Sequence, residues 1–238
     1  EMARPPLSVR RLAAADGERL VDLARGAMVG RSRDLDAFAY GNGGDAWLID
    51  DGDGLAFGLV GMTPPRRAPV AAIYGGLTLA SGVPVGYLQV DVVGRSAALS
   101  FNTFDTFRGA EAAYTFARWL AALHHRHGTR SFTIEPYQLG HGNDEGLQSG
   151  AWWFYFKLGF RPRSAAGRAR AEAERQRLAR RPGSRASART TLTLAAEHLC
   201  FDVDEERPWP IPQPAALGLA AGAALGADPA LDRDAALE

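Results

Sequence analysis

The period of the apolar positions changes several times along the chain, and each change predicts an element. Ala97, Leu99, Phe101 and Thr103 alternate with Ala98, Ser100, Asn102 and Phe104, the period of a strand. A turn follows at Asp105-Thr106. From Glu111, the positions Ala113, Phe116, Ala117, Leu120 and His124 fall on one face of a helix, and Gly128 is placed to stop it. Ser131 to Tyr137 is rich in β-branched and aromatic residues and predicts a second strand, closed by Pro136. Strand, turn, helix and strand in that order predict a parallel pair with a right-handed crossover.

The segments before this unit read as sheet that supports it. Residues 7–11 predict a short strand, and Asp16 is placed to cap a helix whose face is Leu20, Leu23, Ala24, Ala27 and Met28. Residues 30–44 are polar and Gly-rich, with a short helix around Leu35 to Phe38. Ala46 to Ile49 and Leu55 to Met62 predict strands joined by DDGDG, and Thr63 to Pro69 a loop. Val70 to Leu79 and Val83 to Val93 predict a hairpin turning at Ser81-Gly82. In its second strand Tyr87, Gln89 and Asp91 share a face that is either wet or lines a site.

After Phe160 the pattern fades. Residues 165–181 favour helix, with Arg168 and Glu172, and Arg170 and Glu174, at i,i+4. Only Leu178 and the alanines are apolar there, so the segment is expected to be peripheral. Thr191 to Leu199 predicts a second short helix that docks through Leu192, Leu194 and Leu199. PWPIPQP is stiff and extended, and residues 208–238 read as a linker or tail. The expected division is 1–164, 165–207 and 208–238. The fold class expected is α/β (α+β): a mixed, mostly antiparallel central sheet flanked by helices, with a C-terminal helical appendage.

Composition adds bounds. At 238 residues, with 46% hydrophobic and 23% charged positions, the chain can bury a sizeable core. A single cysteine, Cys200, excludes an internal disulfide framework and fits a reducing compartment. With no secretory signal read at the start and no apolar run long enough to span a bilayer, a cytoplasmic protein is expected. The 27 basic and 27 acidic residues cancel, but ten arginines fall within residues 161–189 beside only Glu172 and Glu174. That segment has no aromatic residue to stack on bases, and Lys157 is the only lysine of the chain, so an arginine-biased solvated helix is preferred to a nucleic-acid site.

The chemistry gathers around the parallel unit. A helix N-terminus attracts phosphate, Arg108 adds a planar cation and Gly109 permits close approach. The same pair also serves simply to start a helix, and both readings stay open. Glu111 in the first turn satisfies the helix dipole itself and opposes a diphosphate unless it points away. Glu135 ends the second strand of the unit, at the sheet edge where a general base is useful, with Asp91 and Glu145 as rivals. His141, Asn143, Asp144 and Glu145 lie in the Gly-rich loop 140–146, which has no recognisable metal spacing, so no metal is expected. Trp152 to Phe156 are five consecutive aromatics, which a helix cannot bury on one face.

RGAEAA followed by a helix resembles the pyrophosphate-binding loop of the GNAT N-acetyltransferase superfamily, Q/R-x-x-G-x-G/A. Arg108 and Ala113 match its first and last positions, and Glu111 stands where the family has a glycine. FYFKLGFRP is similar to the family's closing signature, with Tyr155 two residues before Lys157, and LSVRRLAAADGERLVDLA resembles its first strand and helix. The resemblance spans residues 7 to 164. It implies transfer of an acyl group, acetyl by expectation, from acetyl-CoA or another acyl-CoA to a small-molecule or peptide amine. It further implies a CoA site at Phe104, Thr106, Phe107, Arg108, Gly109, Ala110, Ala112, Ala113 and Asn143. Tyr155 would be the acid that protonates the departing thiolate, and Glu135 the base. The alternative is a degenerate member of the fold that binds or assembles without catalysis, motivated by Glu111 and by the long spacing from Asn143 to Tyr155. A homodimer or a larger multidomain context is left open.

Overall fold

The computed structural model describes residues 2–33, 35–68, 70–109 and 111–227. Its first half runs β1 (Ser8–Arg11), α1 (Ala14–Val29), α2 (Asp36–Ala39), β2 (Gly41–Gly52), β3 (Leu55–Met62), β4 (Ala72–Ala80), β5 (Val83–Val93) and β6 (Ser96–Thr103). The second half runs α3 (Glu111–His127), β7 (Ser131–Ile134), α4 (Asp144–Ser149), α5 (Ala151–Lys157), β8 (Arg161–Pro162), α6 (Ala165–Ala179), α7 (Ala188–Leu194), β9 (Leu199–Asp202) and α8 (Pro214–Ala227).

Tight turns dictate the first part of the sheet. Ser81 and Gly82 both take positive φ, 48° and 81°, the geometry that a two-residue hairpin needs between β4 and β5. Among the described residues the strands form one sheet in the order β1-β2-β3-β4-β5-β6-β7-β9-β8. Every neighbouring pair is antiparallel except β6 and β7, which are parallel because α3 carries the chain back between them.

Helices cover both faces. On one, Leu20, Val21, Ala24 and Met28 of α1 and Phe38 pack on Ala46, Val60 and Leu77. On the other, Phe116, Trp119, Leu120 and Leu123 of α3 pack on Phe57, Leu59, Leu88, Val90 and Leu99. Two adjacent glycines of β4 set how closely the helices approach. A Cβ at Gly75 would lie 2.6 Å from the Phe38 ring, and one at Gly76 would lie 2.6 Å from the Trp119 ring. Successive strand residues point to opposite faces, so one dipeptide makes room for a large ring on each side.

The α3 layer is tied to the sheet by a buried ion pair. Arg118 is 0% and Asp51 1% exposed. Arg118 Nε donates to Asp51 Oδ2 at 2.7 Å and Nη2 donates to Oδ1 at 2.6 Å, a two-pronged contact. Arg118 Nη2 also donates to the Arg4 carbonyl at 2.9 Å, and Arg4 Nη2 donates to Asp51 Oδ2 at 3.1 Å.

Several expectations shift. The first helix begins at Ala14, so Asp16 lies in its first turn rather than at the cap, and the half-exposed Leu23 gives its inward place to Val21. The helix expected over Thr191–Leu199 ends at Leu194, and Leu199 begins a strand. On α6 the ion pairs are Arg175 with Glu172 and Arg177 with Glu174, each at 2.7 Å, not the pairs spaced at i,i+4. The largest difference concerns the segment 165–181, expected to be peripheral, and the strand that follows it. Here β9 pairs with both β7 and β8, and α6 buries Gly167, Ala171 and Glu174. That docking face is made of small or polar residues, which carry no apolar periodicity, and the sequence pattern therefore missed it. Pro210 accepts a hydrogen bond from Ser96 Oγ, which straps the extended segment after β9 across the sheet. The tail expected over 208–238 contains α8, and its residues 228–238 lie outside the described residues.

Removing Asp51 takes away the carboxylate that Nε and Nη2 of the buried Arg118 contact. Asp51→Ala is expected to cost about 3–5 kcal/mol, read from urea unfolding. A loss below about 1 kcal/mol would show that the pair is not what ties α3 to β2.

Candidate functional site

The site begins where two strands part. β5 pairs with β6 along its length, up to Thr103. β7 pairs only with Ser96 to Leu99, the last partners being Leu99 and Ile134. Beyond Ile134 the chain reaches Glu135 and then Pro136, which takes helical angles (φ −50°, ψ −40°) and turns the backbone into one 3-10 turn at Tyr137–Leu139. Pro136 has no N–H to continue a ladder. Ser100 to Thr103 are left with β5 on one side and a gap on the other.

Aromatic side chains of α5 fill the inner end of the gap. Trp152, Tyr155 and Phe156 are buried, and the Trp152 Nε1 donates to the Leu194 carbonyl of α7 at 3.1 Å. Phe154 stacks on Phe101, with centroids 6.4 Å apart and planes within 10°. The Tyr155 ring packs edge-on against Phe116 at 5.3 Å. Burial pushes the Tyr155 phenol above its ordinary range, and a hydrogen bond with the Phe101 backbone opposes that rise. The phenol is therefore protonated at neutral pH, with its hydroxyl beside the free edge of β6.

A cavity of about 630 Å³ opens at this gap. Its lining includes Arg108, Gly109, Ala112, Asn143 and Tyr155 of the expected site, together with Arg33, Tyr87, Phe101, Asn102, Glu145 and Phe154. Phe104 and Thr106 line an adjoining space of about 410 Å³ with Arg31 and Arg33. Phe107 lines a third, largely apolar cavity of about 610 Å³, with Leu55, Val83, Val85 and Glu111. The carboxylate at Glu111 thus borders a different cavity from the one lined by Arg108. Ala113 is half-buried on α3 and lines none of these three, and Ala110 lies outside the described residues.

The polar side chains are already partnered. The Asn143 side chain caps α4, accepting from the Gly146 N–H at 3.2 Å and donating to the Tyr137 carbonyl at 3.1 Å. Arg108 Nη2 bonds Asp105 Oδ1 at 2.9 Å and Glu145 Oε1 at 3.0 Å. Arg33 reaches the same carboxylate, Nη2 to Oε1 at 2.8 Å and Nη1 to Oε2 at 3.0 Å. These bonds hold the Glu145 carboxyl at about 2: the one from Arg33 is the largest cause, partial burial opposes it and Arg108 adds to it.

Glu135 is exposed and outside the lining of the main cavity. It stands near Asp91, whose carboxyl is raised first by burial, with the 3.0 Å hydrogen bond from Gln89 opposing and Glu135 adding repulsion. Among the described residues, no three His, Cys, Asp or Glu side chains are grouped to hold a metal ion, and no helix is long and apolar enough to cross a membrane. Arg33 left no sign in the sequence because an arginine in a polar loop carries no periodic signal. Tyr87 left a trace, as part of a polar strand face, and its hydroxyl accepts from Asn102 Nδ2 at 3.2 Å. No protein-family model matches the chain, and no curated protein or solved structure matches it.

The two arginines fix a measurable titration. Because the folded value is depressed, stabilisation by this contact is present above the ordinary carboxyl range and is lost as pH falls through about 2. Carbon NMR of the Glu145 carboxyl is expected to show a midpoint near 2. A midpoint at an ordinary carboxyl value, ~4.3, would mean that the arginines do not hold it in solution.

Proposed function

We propose that the protein is an acyltransferase that moves an acyl group from acyl-CoA to an amine, in a fold related to the GNAT superfamily. One observation carries the reading: the free edge of β6, the Tyr155 hydroxyl and the Arg108-Gly109 turn before α3 all border one cavity. An extended chain bearing amides, such as the pantetheine arm, can hydrogen-bond a free strand edge as another strand would. Arg108 suits the diphosphate of the same molecule.

The chemistry is orientation plus two proton movements. The amine nitrogen attacks the thioester carbonyl, a C–N bond forms and the C–S bond breaks. Tyr155 supplies the proton that the departing thiolate takes up; burial disfavours the phenolate left behind, and the bond with the Phe101 backbone offsets part of that cost. The proton lost by the amine passes to a carboxylate. Glu135 and Asp91 are the carboxylates near one another on that side, both outside the cavity lining, so a water would have to carry the proton, and burial raises the Asp91 carboxyl. Glu145 is the poorest proton acceptor of the three, being held low by two arginines.

A second reading is a binding module without catalysis. The engagement of Arg108 by both Asp105 and Glu145 favours it, because a diphosphate must displace a carboxylate to reach that guanidinium.

Calorimetric titration with acetyl-CoA and longer acyl-CoAs separates the two. Binding is expected, and Arg108→Ala should weaken it by about 1.5–3 kcal/mol. Absence of any CoA binding by the unmutated chain removes the acyltransferase reading.

With a competent amine in hand, Tyr155→Phe should lower turnover by about 10²–10⁴. Its stability cost should stay near 0.5–1.5 kcal/mol for the one lost hydrogen bond. Full turnover in a folded Tyr155→Phe protein would end the claim that this hydroxyl is the acid.

A further inference from the structure

Arg33 and Glu145 have no part in the steps above, yet they form the most highly bonded polar contact at the cavity. Arg33 follows α1, Arg108 follows β6 and Glu145 opens α4, so three distant segments meet at one carboxylate. Arg33 grips it with both terminal nitrogens, and Arg108 shares its Oε1. A fork of guanidinium nitrogens on two oxygens is the way arginine holds phosphate as well as carboxylate.

Arg33 lines both the 630 Å³ cavity and the adjoining 410 Å³ space, so the contact stands on the boundary between them. Its charges are balanced: Arg33 and Arg108 face Glu145 and Asp105. If the Glu145 carboxylate turns away, two guanidiniums face Asp105 alone, with Arg31 on the same rim over the Phe104 ring. Glu145 is 48% exposed, so its side chain can rotate into solvent without moving the backbone.

We propose that Arg33 and Arg108 form a seat for the phosphate of a ligand, and that Glu145 closes this seat as an internal substitute for that phosphate. The seat opens by exchange of one oxyanion for another. Acidification does not open it near neutral pH, since the carboxylate keeps its charge there. Affinity for the ligand is thereby lowered by the cost of releasing Glu145, and the release couples α4 to occupancy of the cavity. The proposal shares the cavity with the acyl-CoA reading and rests on it only for the identity of the natural ligand.

The test is calorimetric titration of the full chain with inorganic pyrophosphate. Glu145→Ala is expected to bind it about three- to thirtyfold tighter than the unmutated chain, the range set by two half-exposed ion pairs. Arg33→Ala added to Glu145→Ala should abolish the gain. Affinities equal within about twofold, or no binding to either chain, overturn the proposal. Glu145→Gln keeps the size of the side chain, is used if the alanine variant does not fold, and is held to the same outcomes. Parallel titration with coenzyme A keeps the two claims apart. A pyrophosphate gain without coenzyme A binding leaves the seat and removes the acyl-CoA reading. Coenzyme A binding that Glu145→Ala leaves unchanged, with no pyrophosphate gain, removes the seat and leaves the acyl-CoA reading.

Discussion

Buried backbone groups must find partners, and at the end of β7 that demand is met without a strand. β7 stops pairing at Ile134 because Pro136 has no N–H and bends the chain away, while β6 runs on to Thr103 beside β5. The free edge needs donors and acceptors from elsewhere. The Tyr155 hydroxyl meets the Phe101 backbone, and the rest of the edge faces the cavity. A sheet continuous to that depth would have neither a cavity nor a reason to bury a tyrosine hydroxyl.

Keeping the strands apart requires a firm wedge, and the wedge is α5. It is held from behind by α7 and the strand after it, in the segment that the sequence predicts to dock through its leucines. Trp152 bonds the carbonyl of Leu194, and Leu194, Ala195 and Leu199 join the same core as Phe116 and Tyr155. The strand β9 pairs with β7 itself, and Ala171 of the arginine-rich α6 joins the same core as Trp152 and Tyr155. In the middle of α3, Arg118 and Asp51 hold the helix to β2 without contact with water.

Two kinds of ion pair therefore do different work. The Arg118–Asp51 contact is fully buried, so losing either partner costs much more than at the surface. The contact of Glu145 with Arg33 and Arg108 is half exposed, and water can replace any of its members at little cost. The first suits architecture. The second suits a contact that a ligand can exchange. The same chemical pairing thus takes its role from depth of burial alone.

Local pattern and turn chemistry made much of the sheet legible: the hairpin at Ser81-Gly82, the strand at Ser96–Thr103, the helix stopping at Gly128 and the parallel return to Ser131. Those features depend on neighbours within a few residues, which the sequence displays directly. Arg108, Gly109, Asn143 and Tyr155 are grouped by a motif resemblance rather than by local pattern, and all four line one cavity. Tertiary structure alone decided the rest. The buried side of α6 is Gly167, Ala171 and Glu174, whose small or polar side chains leave no apolar stripe to read. Arg33 joins Glu145 across 112 positions, and Arg118 joins Asp51 across 67. A charged side chain looks the same in sequence whether water or a partner balances it, because the balance depends on burial and distance, which exist only once the chain has folded.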